Sequence, residues 1–138
     1  NKISFILIFF CTIFLLFCKN NSANDNSNSS LNQNELQKRI QRQSELVEIF
    51  ERNSDNPSNA LKALDIFYKK YSEKLKNEIL EAKKSLNQNE MNMNYLENPA
   101  VVALVERQKN AFNKLLAIDP QFNVKMMILM KKYGLAEN

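Results

Sequence analysis

The side chains in this sequence best suited to chemistry carry sulfur. Met91-Asn92-Met93 sets two thioethers two residues apart, and Met126, Met127 and Met130 follow further along. Thioethers are soft donors that select Cu(I), so the set poses a copper-handling reading. Against it stands the ordinary use of methionine to fill irregular core space, which suits Met126, Met127 and Met130. No histidine occurs, and the two cysteines, Cys11 and Cys18, lie in or at the end of an N-terminal apolar run. Ser/His/Asp triads, Cys/His dyads, zinc fingers and the Glu-x-x-His di-iron pattern therefore cannot be assembled. The carboxylates mostly stand beside Lys or Arg, as in Glu35 with Arg39 and Glu48 with Arg52, which is the pattern of a solvated helix face. The expectation is no enzyme, no metal and no cofactor, with methionine-based copper binding as an alternative.

The elements that must position these residues are helices. There is one Gly and there are three Pro in 138 residues, and no segment alternates with period two, so the domain is expected to be all-α. The longest stripe lies between Asn56 and Gln88: Leu61, Leu64, Tyr68, Tyr71, Leu75, Ile79, Ala82 and Leu86 recur at steps of three and four. That helix would be about 45 Å long, and the others are expected to pack along it. A first helix from Ser30 or Asn32 to about Asn53 carries Leu36, Ile40, Val47 and Phe50. Gln43 and Ser44 interrupt its stripe, which predicts looser packing there. A third helix runs from Pro99 to Ile118, and the apolar run Ala100 to Val105 should make its start the most buried stretch. Asp119-Pro120 ends it and caps a fourth, about Gln121 to Tyr133, which Gly134 stops. These pieces predict an antiparallel bundle of three to four helices: the first two as a hairpin, the third returning along the second, the fourth closing one end. A groove between the second and third helices, floored by Tyr68, Tyr71, Val102 and Val105, is the expected docking place for a partner. Aromatics at helical spacing serve more often as core, and that use competes for Tyr68 and Tyr71.

The N-terminus reads as an address. Lys2 precedes an apolar run from Ile3 to Phe17, which has the form of a secretory signal peptide over residues 1–17 and is short for a bilayer span. Where that run stops, Leu15-Leu16-Phe17-Cys18 resembles the lipobox of bacterial lipoproteins. In that family the cysteine becomes the lipid-modified first residue of the mature protein. Cys18 matches it, and Leu15 matches the leucine three before; Phe17 stands where the family carries a small residue. With its Asn- and Lys-rich composition, the chain is similar to the short lipoproteins of spirochaetes. Lys19 to Asn34 is almost entirely Asn and Ser, too polar to offset its ordering entropy, so residues 18–34 are expected to form a disordered tether reaching about 20 Å. The bundle would then occupy residues 35–138.

The net charge is +4, and with Lys2 set aside 18 basic side chains face 15 acidic ones, mixed along the helices. This is a solvated surface, and no nucleic-acid partner is expected. The resemblance implies attachment to a membrane of the bacterial cell envelope through lipid on Cys18, while the tether, the bundle and the absence of catalytic groups lead to the expectation of a binding role with a protein partner. An uncleaved signal anchor is the alternative for the leader, and a pilotin-like escort of a membrane component is the alternative role.

Overall fold

The computed structural model describes residues 29–87 and 99–137, and every regular element among them is a helix: α1 (Ser29–Arg52), α2 (Pro57–Asn87), α3 (Pro99–Ile118) and α4 (Phe122–Lys132). The expected leader, Cys18, most of the tether, and the loop with Met91 and Met93 lie outside the described residues. α1 begins at Ser29, one residue before the earlier of the two expected starts, so the last residues counted with the tether, up to Asn34, belong to its first turns. Extending an existing helix costs far less than starting one, so polar residues of middling propensity can join it.

The helix ends follow local chemistry. The Asn56 side chain accepts from the backbone N–H of Asn59 at 3.1 Å, capping α2, while Pro57 fills the position where a missing N–H costs nothing. Asn53 donates from its side chain to the Ile49 carbonyl at 2.8 Å, satisfying one of the last acceptors of α1. Between α3 and α4 the Asp119 carboxylate accepts from the backbone N–H of Gln121 at 3.0 Å and from Lys125 at 2.7 Å. After α4, Gly134 adopts φ +71°, Leu135 donates back to the Met130 carbonyl at 2.9 Å and Gly134 to Lys131 at 3.0 Å. That pair of bonds is the Schellman arrangement, and its accompanying apolar contact is Leu135, which is buried.

α1 and α2 form the expected antiparallel hairpin: Glu45 meets Lys70 and Tyr71, while Arg39, nearer the start of α1, meets Glu78 and Glu81, nearer the end of α2. The third helix departs from expectation, since α3 packs mainly along α1 and not along α2. Gln43 meets Gln108 and Phe50 meets Phe112, so the two helices run in the same sense. α4 closes one end. There Phe50, Phe112 and Phe122 form an edge-to-face trio with centroids 5.8–6.4 Å apart, surrounded by Leu64, Leu115 and Met126. Such ring pairs stabilise beyond the area they bury.

At the other end the core is thin. Val47, Val101 and Leu104 form a small cluster with Leu36, Ile40 and Val105 packed against it. The start of α3 is therefore not the most buried stretch of the fold. Val101 is 1% exposed, but Val102, one residue on, is 52% exposed, because that cluster is drawn from α1 and α3 alone and covers one face of the helix. The Gln43 interruption also reads differently in three dimensions. Its amide is buried and donates to the Gln108 side chain at 2.5 Å, making a polar cross-link where a gap in packing was expected.

Candidate functional site

Polar residues in register with the apolar stripes build the site. On α1, Arg39, Gln43, Leu46 and Phe50 are spaced by four, three and four; on α2, Tyr71, Leu75, Glu78 and Ala82 are spaced the same way. Helical geometry thus carries Arg39, Arg42 and Gln43 inward toward α2, and Glu78 inward toward α1. With Leu46 from α1, and with Phe67, Tyr68, Leu75 and Ile79 from α2, they line a cavity of about 40 Å³. Met130 of α4 and Leu135 complete the wall, so the Schellman turn at Gly134 places the last apolar side chain of the lining.

One end of this cavity is charged. Arg39, Arg42 and Glu78 are each about 5–6% exposed. The Arg42 Nη2 donates to Glu78 Oε1, and the Arg39 guanidinium lies 3.5 Å from the same oxygen while reaching Glu81 at 3.3 Å. Burial pushes the Glu78 carboxyl above the usual carboxylate range, and the Glu35 charge adds to this; Arg42 and Arg39 oppose it without reversing it. The balance fits a buried ion pair in which desolvation rivals attraction. Because both guanidiniums face Oε1, Glu78 Oε2 has no hydrogen-bond partner in the protein. The Tyr68 hydroxyl is equally without one, and burial pushes its pKa up. Three polar atoms that make no hydrogen bond within the protein, Arg39 Nε, the Tyr68 hydroxyl and Glu78 Oε2, therefore belong to side chains lining one largely apolar chamber.

Tyr71 is turned to a different task. Its hydroxyl donates to Glu45 at 2.7 Å, and its ring lies 4.9 Å from that of Phe67 with the Lys70 ammonium 4.7 Å from its centroid. Of the four residues expected to floor a groove, Tyr68 lies in the cavity wall, Tyr71 packs beside it, Val102 faces outward and Val105 packs against the Val47 cluster. They do not line one groove, because α3 took α1 as its neighbour. Arg39, Arg42 and Glu78 were missed as site residues. The sequence reading places Arg39 in a solvated-face pair with Glu35 and does not single out Arg42 or Glu78. The signal that could have found them is a charge standing in step with the buried stripe.

Met126 and Met130 are buried in the main core cluster, with Met127 packed against it. Among the described residues no group of three or more Cys, Asp or Glu side chains is arranged to hold a metal, and no helix is long and apolar enough to cross a membrane. The cavity has room for a few water molecules between largely apolar walls, beside three polar atoms that the protein leaves without a hydrogen bond. Comparison of the chain with protein-family models, curated proteins and solved structures finds no match.

Proposed function

We propose that this chain is a membrane-tethered, non-enzymatic binding module of a bacterial cell envelope. The helical bundle is carried on a polar segment that starts at a lipid-modified Cys18, and it engages a protein partner at the membrane surface. The observation that carries this reading is the order of segments along the sequence: an apolar leader ending in Leu15-Leu16-Phe17-Cys18, an Asn/Ser tract, then a bundle. Acyl chains on a terminal cysteine would hold the module at the membrane, and two signals or two chains are needed for a stable hold. A bundle whose core is Phe50, Leu64, Leu115, Phe122 and Met126 needs no disulfide to stand in an oxidising compartment.

Intact mass of the protein from its own membranes, beside a Cys18→Ser variant, tests the anchor. The expected result is a mass lacking residues 1–17 and gaining acyl chains, lost in the variant. A full-length, unmodified mass would reject lipidation and leave a signal-anchored chain. Assembly assistance, in which the bundle clasps a helix of a membrane component, is the second reading. It draws on Val124 and Ile128, one turn apart on α4 and 48% and 61% exposed. Cleavage by external protease on intact cells favours the outward-facing binder; protection favours the assembly role.

A further inference from the structure

The outer face of α4 holds aliphatic side chains in water, flanked by lysines. Phe122, Met126 and Met130 turn inward at steps of four, so Val124 and Ile128, two residues off that line, stand about 200° round the helix. They are 48% and 61% exposed. The same rotation sets Lys131 on one flank of this pair and Lys125 and Lys132 on the other.

These ammonium groups remain open to a further partner. Lys125 lies 2.7 Å from Asp119 and Lys132 3.1 Å from Asp65, yet both lysines are more than half exposed, and ion pairs at the surface hold their members weakly. Lys131 is exposed and makes no ion pair among the described residues. Lys69 of α2 also acts on Asp65, so four ammoniums stand against two carboxylates in this group.

The composition separates two kinds of covering. A protein interface concentrates Tyr, Trp, Phe and Arg and is poor in Lys. Here the nearby aromatics are engaged elsewhere, since Phe122 is in the core and Tyr133 donates to Asp65 at 2.6 Å. A lipid surface favours the set that is present. Aliphatic side chains reach the acyl boundary, while lysine stems lie along it and carry their charge to the head groups.

We propose that the outer face of α4 docks on an anionic lipid surface, with Val124 and Ile128 entering the head-group boundary and Lys125, Lys131 and Lys132 meeting lipid phosphates. This rests on the reading of the chain as held at a membrane, which keeps lipid close, and it adds the side of the bundle that turns to the lipid.

The test uses the full chain in nanodiscs that contain lipid spin-labelled on its acyl chain, with intact mass recorded first to fix the state of the anchor. Methyl NMR follows Val124 and Ile128, with Val102, an exposed valine of α3, as reference. In phosphatidylcholine mixed with phosphatidylglycerol, the Val124 and Ile128 methyls should broaden and those of Val102 should not. Lys131→Gln should lower the docked-to-free ratio about fivefold, and Lys125→Gln should add to the loss. Ile128→Ser, read at Val124, should lower it about tenfold. Equal broadening of Val102, or the same broadening in phosphatidylcholine alone, would overturn the surface. Sharp Val124 and Ile128 methyls in the mixed nanodiscs would also overturn it and leave this face to a protein partner. An unmodified mass would overturn the lipid anchor and not the docking, which the methyls report either way.

Discussion

At Glu78 two opposed effects meet on one side chain. Burial disfavours its charge while Arg42 and Arg39 favour it, and burial dominates, so the folded carboxyl titrates above its unfolded value. Such a group contributes stability that is complete below the unfolded value near 4.5 and is lost as pH rises through the folded one. Glu51, Asp65 and Asp119 shift the opposite way through Arg107, Tyr133 with Lys132, and Lys125, and contribute stability that is lost on acidification. They are unchanged in a Glu78 variant. Thermal unfolding of wild type and Glu78→Gln between pH 4 and 7 should therefore show a difference that favours the wild type most at pH 4 and shrinks as pH rises. A difference that grows with pH would mean that the two arginines outweigh burial. The Gln43–Gln108 pair makes a second prediction. Gln43→Leu alone strands a buried amide and should cost about 1–3 kcal/mol, whereas Gln43→Leu with Gln108→Leu should cost less than the sum of the two single changes. Urea unfolding of the four proteins closes that cycle. Arg39, Gln43 and Glu78 sit in step with their stripes in the sequence. Their partners were not legible, because pairing across 36 to 65 residues is set by which helices become neighbours.

Helix ends are the best-read feature of the chain, because their causes lie within a few residues. Asn56 caps, Pro57 opens, Asp119 ends one helix and supports the next, and Gly134 stops the last, all at or within a residue or two of where local rules place them. Gly134→Ala tests the last of these. Its φ of +71° disfavours any Cβ, and the added carbon would also stand 2.9 Å from Lys76 Cε, a flexible end that can move away. The backbone strain remains, so a loss of about 1–2 kcal/mol is expected in urea unfolding, with Gly134→Asn losing less because Asn tolerates the left-handed region. Leu135 follows this turn into the cavity wall. In the stripe of α2, Leu64 and Tyr68 are buried and Leu61, Tyr71, Leu75 and Ile79 are partly buried against the core, whereas in the run at Ala100 to Val105 only Val101 and Leu104 are buried. Apolar composition predicts burial only where a neighbour covers each face, and here the cluster covers one.

The whole molecule is held mainly at one end. Phe50, Phe112 and Phe122 join α1, α3 and α4, while the far half rests on a small valine and leucine cluster and a buried set of charges and amides. Phe122→Ala should lower the urea midpoint by the equivalent of about 3–5 kcal/mol, a large part of the stability of a domain this size. Ile128→Ala, on the exposed face of the same helix, should stay within about 0.5 kcal/mol. The all-helical class, the hairpin of the first two helices and the closing role of the fourth were determined by the sequence itself, through glycine scarcity, apolar period and the short turns at 53–56 and 119–121. Those signals are local, and a short connection leaves few places for the next helix to go. The course of α3 was decided only in three dimensions. A long connection separates it from α2, so its neighbour was chosen by which faces fit, and it chose α1. That choice buried Gln43 against Gln108 and turned Val102 outward. The cavity likewise needed the tertiary fold, because three separate stretches of chain had to meet before Tyr68 and Glu78 could face one space.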